Sequence, residues 1–155
     1  MQPASRRALL AAALLAAPLA YAPAAACTIT MPGVGFGAYN PLAAGADNSM
    51  GTLTVRCAPS VMAPIVALSA GSSGSFAART MTNAPYTLTY NLYTNSGRTI
   101  IWGDGTGGSV TQTLSGGSVS AGQRRFTRTI YGRAPALQNV GAGPYIDTIT
   151  ITVTF

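Results

Sequence analysis

The chain contains no histidine, no lysine and no glutamate, and Asp47, Asp104 and Asp147 are its only side-chain carboxylates. General acid–base catalysis draws mostly on His, Glu, Asp or Lys with shifted pKa values. What remains is three aspartates, seven tyrosines and two thiols. Without histidine neither a Ser/His/Asp nor a Cys/His arrangement can be assembled, and zinc sites of the usual kind lack their ligands. Serines are plentiful, but nothing is at hand to activate one. The expectation is a protein that is not an enzyme, with no catalytic residue, no cofactor and no metal.

Long apolar runs are scarce as well. The one run, Ala8 to Leu19, follows Arg6 and Arg7 and precedes the small-residue stretches Ala22–Ala24 and Ala24–Ala26. It is short and alanine-rich for a membrane span. With its positive start and small-residue end it reads as an export signal over residues 1–26, cleaved just before Cys27 or Ala25. The product is expected to be exported and not integral to a membrane, a single domain over residues 27–155. Losing Arg6 and Arg7 leaves seven arginines against three aspartates, a net charge of +4. Arg124, Arg125, Arg128 and Arg133 form the one basic cluster, with Phe126 and Tyr131 inside it. Alternation and export favour a solvated strand face there over a nucleic-acid contact.

Cysteine is limited to Cys27 and Cys57. An even count in an exported chain predicts one disulfide. It closes a loop of about thirty residues, worth roughly 3–4 kcal/mol in the loop-entropy treatment. Neither a CxxC spacing nor a neighbouring base suggests a reactive thiol.

What the chain has in quantity is β-branched residues and turn formers. Extended pieces are expected at Thr28–Met31, Gly35–Tyr39, Gly51–Cys57, Ile65–Ser69, Tyr86–Tyr93, Thr99–Trp102, Val110–Leu114 and Arg125–Tyr131. Loops are expected at Leu42–Ser49, at Gly71–Ser75 and over Gly116–Gly122. Pro64 before Ile65 indicates an edge strand or a strand that starts there. The residues Tyr145 to Phe155 alternate throughout, with Ile149, Ile151, Val153 and Phe155 on one face and threonines on the other. Such a tail, lacking a charge, proline or bulge after Asp147, sits between neighbours or pairs with another chain. Short strands with Gly/Pro turns argue for an all-β sandwich.

Phe36-Gly-Ala-Tyr39-Asn-Pro41, Arg79-Thr-Met81, Tyr90-Asn-Leu-Tyr93, Trp102-Gly-Asp-Gly-Thr106, Ile130-Tyr-Gly-Arg133-Ala-Pro135 and Gly143-Pro-Tyr145-Ile-Asp147 occur in that order. With the two cysteines they resemble the spore coat protein U domain family, which includes the Csu-type pilins of the archaic chaperone–usher pathway. The resemblance covers residues 27–155. It implies an immunoglobulin-like β-sandwich lacking its final strand. The groove so left is filled by a periplasmic chaperone and then by a strand of the next subunit, a case of β-strand addition. Ile149, Ile151, Val153 and Phe155 are the residues expected at this groove or donor-strand interface, and plain core is the alternative for the same side chains.

Other motifs have quieter explanations. One carboxylate is too few for calcium at Trp102–Thr106, and Gly-Asp-Gly suits a tight turn. Gly103, Gly105, Gly107 and Gly108 have no strand–loop–helix context for phosphate. Tyr90 and Tyr93 take opposite faces of one strand, and Arg133 is a candidate partner for Asp147. With cleavage at residue 26, no alternating apolar donor segment precedes Cys27, so the chain is expected to accept a strand and not give one, as a tip or minor subunit would. The functional expectation is a structural subunit of a secreted chaperone–usher pilus serving adhesion and biofilm formation. Its partners are a periplasmic chaperone, an outer-membrane usher and other pilins, with no nucleic acid. The alternatives are a spore or cell-surface coat protein outside any pilus and a carbohydrate-binding tip adhesin.

Overall fold

The computed structural model describes residues 27–155, so the leader expected at residues 1–26 lies outside the described residues. Alternating side chains set up β1 (Cys27–Thr30), β2 (Asp47–Cys57), β3 (Ile65–Leu68), β4 (Arg79–Asn83), β5 (Tyr86–Tyr93), β6 (Gln112–Thr113), β7 (Ser118–Ser120), β8 (Gln123–Ala134) and β9 (Ile151–Thr154). Among the described residues the helical piece is a single 3-10 turn at Gly71–Ser73. The larger sheet runs β1–β2–β8–β5–β4, with β7 also on β8, and the smaller runs β6–β3–β9. Every pairing between these strands is antiparallel.

The two sheets enclose one apolar core. Leu53 and Val55 of β2, Phe126 and Ile130 of β8, and Leu88 and Leu92 of β5 pack with Val66 and Leu68 of β3, Trp102 and Leu114. Burying each such side chain contributes about 1.5–3 kcal/mol. Trp102 lies in the interior and its indole N–H donates to the Val66 carbonyl at 3.0 Å, so the one polar atom of the ring is satisfied. Cys27 stands opposite Cys57 in the β1–β2 register, and the two form the expected disulfide.

Arg79 is the exception to an apolar interior, with none of its surface exposed. Its Nε and one terminal nitrogen donate to the Ser69 carbonyl at 3.0 and 2.8 Å. Further bonds reach the Trp102 carbonyl at 2.7 Å and the Asn91 side-chain oxygen at 2.7 Å. Asn91 in turn donates to the Phe76 carbonyl at 2.7 Å, and the guanidinium carbon lies 5.2 Å from the Phe76 ring centre. Burial lowers the Arg79 pKa from its ordinary value, while nearby Tyr90 and Asp147 act in the opposite direction.

Several expectations are corrected. The tail is not one strand from Tyr145, because Asp147 interrupts it. Ile146 bridges Thr82 on β4, whereas β9 begins at Ile151 beside Leu68. Between them the Asp147 carboxylate accepts the Ser72 and Thr148 amides at 2.9 and 2.8 Å and the Tyr90 hydroxyl at 2.7 Å. A side chain that satisfies local amides competes with the ladder, and here it carries the chain from one sheet to the other. Arg133 therefore does not meet Asp147 and donates instead to Asn48 at 3.0 Å.

Other boundaries move too. Gly35–Tyr39 is not a strand, and β2 starts at Asp47, inside the expected loop. Thr99–Trp102 forms only isolated bridges, Tyr93 to Ile101 and Trp102 to Val110. The Gly116–Gly122 turn holds β7. β3 starts at Ile65 and is flanked by both β6 and β9, so Pro64 marks a strand start rather than an edge.

Arg79→Ala strands the Ser69 and Trp102 carbonyls in the interior, each costing about 1–3 kcal/mol, and removes one of the two donors to the Asn91 oxygen. The expected result is a loss of at least about 3 kcal/mol by urea unfolding or failure to accumulate. A midpoint like that of the parent protein would contradict this account. For the disulfide, intact mass without reductant should fall two hydrogens below the dithiol. Cys57→Ser with Cys27→Ser should cost about 3 kcal/mol.

Candidate functional site

A groove opens where the two sheets part. β1 pairs with β2, and β9 with β3, and among the described residues each leaves its other edge unpaired. One wall is the chain following β1, with Met31, Gly33, Val34 and Phe36, and the other is Ile149 and Ile151. Leu68, Met81, Tyr90, Leu92 and Ile130 form the floor of this 210 Å³ cavity. Val34, Phe36 and Met81 also line a neighbouring 630 Å³ cavity that extends past Leu88 to Val140 and Tyr145. The lining is apolar apart from Asp147 and the Tyr90 hydroxyl, so the groove suits an extended apolar segment.

Glycines seat the first wall. A Cβ on Gly132 of β8 would stand 2.8 Å from both the Phe36 ring and a Val34 methyl. One on Gly51 of β2 would stand 2.7 Å from the Gly33 carbonyl and 2.8 Å from Val34. Gly51 and Ile130 are register partners on the inward face, so the Met31–Phe36 segment lies directly on the sheet. Phe36 meets the Tyr90 ring edge-on, at 5.8 Å and 70° between planes. Burial first, then the Asp147 hydrogen bond and charge, push the Tyr90 phenol above its ordinary pKa, so it remains a donor. Farther along, the Tyr39 hydroxyl donates to the Pro135 carbonyl at 2.6 Å and accepts from the Gln138 amide at 3.0 Å. The Gln138 side chain bonds both backbone groups of Thr89, at 2.7 and 2.9 Å, in place of a missing strand neighbour.

The expected interface residues are distributed unevenly. Ile149 and Ile151 line the cavity, Val153 packs against the core beside Val66, and Phe155 is 55% exposed at the end of the strand. Sequence reasoning missed Val34, Phe36, Gly51 and Gly132 as parts of the site. The glycine interrupting the Arg125–Arg133 alternation was the available signal, since a strand glycine marks close approach. At Trp102–Thr106 the turn explanation holds. Asp104 accepts the Thr106 amide and hydroxyl at 2.9 and 2.7 Å, which lowers its pKa.

The sequence pattern of the Spore Coat Protein U domain matches residues 11–152. The chain belongs to the spore coat protein U domain family. This spore coat protein U domain is 33% identical over 133 residues to Protein U of Myxococcus xanthus, covering 77% of this chain and 70% of that protein. Its fold is also similar to a crystal structure of a chaperone–tip adhesion subunit pre-assembly complex from the archaic chaperone–usher Csu pili of Acinetobacter baumannii. There the TM-score is 0.60 at 22% identity, over 84% of this chain and 40% of that one. The architecture is thus an immunoglobulin-like all-β sandwich. No helix among the described residues is long and apolar enough to cross a membrane.

Gly132→Ala should dislodge the Val34–Phe36 wall and lower stability by about 1–3 kcal/mol. Gly35→Ala, whose added carbon meets nothing within 4 Å, is expected to be near neutral. Urea midpoints of the two variants measure the difference, and equal midpoints would refute the seating role of Gly132.

Proposed function

We propose that this domain is a structural subunit of a chaperone–usher surface pilus and that its groove accepts a β-strand from another chain. One observation carries the reading: an apolar groove lies between two strand edges, of β1 and β9, that are unpaired among the described residues. Backbone groups on those edges supply a ladder for an incoming strand, and the cavities receive its alternate side chains. In this reading the sandwich is incomplete, and Ile149 and Ile151 form the wall that the donor strand covers, with Val153 behind them and Phe155 at the mouth. A periplasmic chaperone fills the groove before an outer-membrane usher exchanges it for the strand of a neighbouring pilin. The product reaches the cell surface by way of the periplasm, in a fibre that serves adhesion and biofilm formation. Family membership and the fold shared with a pilus subunit support this.

Expressed alone in the periplasm, the protein should aggregate or be degraded. Co-expression with its chaperone should yield a soluble one-to-one complex. A donor peptide fused through a flexible linker should stabilise the monomer by raising its effective concentration at the groove. Ile151→Asp should abolish both rescues, because an unpaired buried carboxylate is costly, while Thr152→Asp on the exposed side should be milder. A soluble, cooperatively unfolding monomer without any partner would sink the pilus reading and favour a coat protein with a complete sandwich.

A further inference from the structure

The basic cluster of β8 divides into two sets. Arg124 and Arg128 share the inward parity of Phe126 and Ile130, and their guanidinium groups bond the carbonyls of Pro59, Gly117 and Ser115. Arg125 and Arg133 stand on the opposite face of the large sheet, where Arg56 of β2 joins them. Arg98, from the turn after β5, lies 5.7 Å from the Tyr131 ring centre on this same face.

Register orders that outer face into rows. Thr28, Arg56 and Arg125 form the first, and Thr30, Thr54 and Thr127 the second. Thr52 and Thr129 follow, then Met50, Tyr131 and Tyr93. Arg133 with Asn48 closes the array about 27 Å from Arg125, at about 3.4 Å per residue. No carboxylate of the described residues shares the face. Asp47 is paired with Ala134 and takes the inward parity, Asp104 lies in its own turn and Asp147 lines the groove.

The first row is the telling one. Like charges directly opposite on a sheet cost stability, yet Arg56 and Arg125 face each other across the β2–β8 ladder and both are exposed. An anion gripped by the two planar forks would remove that repulsion, and arginine matches carboxylate geometry in a way lysine does not. Between the charged ends the exposed hydroxyls of Thr52 and Thr127 and the half-buried Tyr93 ring are groups that bond sugar hydroxyls and cover sugar rings, whereas Thr54 is buried and the Tyr131 ring lies under Arg98. We propose that this face binds an acidic polysaccharide, with its carboxylates at Arg56/Arg125 and at Arg133. The site lies on the sheet face turned away from the groove and does not depend on what fills the groove. A membrane surface fits less well, since Met50 is the large apolar side chain that stands well out here, and a duplex offers phosphates but no hydroxylated rings for the threonine rows.

The test uses the full exported protein, with any partner that co-purifies. Its binding to polygalacturonate is compared with binding to neutral dextran, duplex DNA and phosphatidylglycerol vesicles. The expected result is salt-sensitive binding to polygalacturonate above all three. Arg56→Thr combined with Arg125→Thr should weaken it about tenfold or more, the loss of at least one charged hydrogen bond. The salt dependence should flatten by about two charges. The double variant should unfold at an equal or higher urea midpoint, because a repulsive pair has been removed. Unchanged affinity in the double variant, equal binding to dextran, tighter binding to DNA or vesicles, or a binding loss accompanied by a lower midpoint would each overturn the proposal.

Discussion

The buried guanidinium of Arg79 ties the two sheets together. It belongs to β4 at the edge of the large sheet, and its bonds end on Ser69, just past β3 in the small sheet, and on the Trp102 carbonyl. Trp102 is held from both sides in turn: its amide donates to Leu92 of β5 at 2.9 Å and its indole to Val66 of β3 at 3.0 Å. A cation without solvent is costly unless its donors find acceptors, and each of the three guanidinium nitrogens does so here. The carbonyls around it must therefore remain where they are, and that fixes the separation of the sheets at this end of the core. No apolar side chain of the same volume could impose that geometry, because dispersion has no direction.

The groove follows from the same constraint. With the sheets held apart at Arg79, the tail has to cross the gap, and Asp147 makes the crossing possible by bonding Ser72, Thr148 and Tyr90 at once. Tyr90 then presents its ring to Phe36, so the buried network and the first wall share a side chain. On the other side Gly51 and Gly132 let the chain after β1 lie flat on the sheet. What stays open between these supports is lined by apolar side chains on a rigid frame. An incoming strand would find the cavity already formed, which reduces the ordering cost of binding.

Much of this was legible in the residues, though unevenly. The all-β class, the Cys27–Cys57 pairing and most long strands followed from alternation and turn chemistry, and the order of short motifs carried the family. Arg79 was visible only as part of a motif, because burial of a charge leaves no periodic mark. The Asp147 crossing was hidden inside an alternation that looks unbroken, since period-2 patterning reports which face a residue takes and not which sheet it belongs to. Likewise the Phe36–Tyr39 segment has strand composition, but its Phe36 ring packs over Gly132 and its Tyr39 hydroxyl bonds the Pro135 carbonyl, both distant in sequence. Alternation put Ile149 and Ile151 on one face with Val153 and Phe155, but it could not tell the two that line the cavity from the two that do not. The opposite wall could not be read at all, because it is irregular backbone shaped by two glycines elsewhere.

The two surfaces differ in kind because the two faces of the large sheet are under different constraints. Inward positions of β2 and β8 are fixed by packing against β3 and Trp102, so Leu53, Val55, Phe126 and Ile130 have little freedom. Outward positions carry no such demand, and solvent would accept almost any polar residue there. The chain nevertheless has arginines as the charged groups of that face, two of them opposed, while Asp104 lies in a turn, Asp147 in the groove and Asp47 on the inward parity of β2. Repulsion retained where nothing in the fold requires it is best explained by a ligand that relieves it. The groove would then serve assembly and the outer face contact with the surroundings, each on its own side of one rigid sheet.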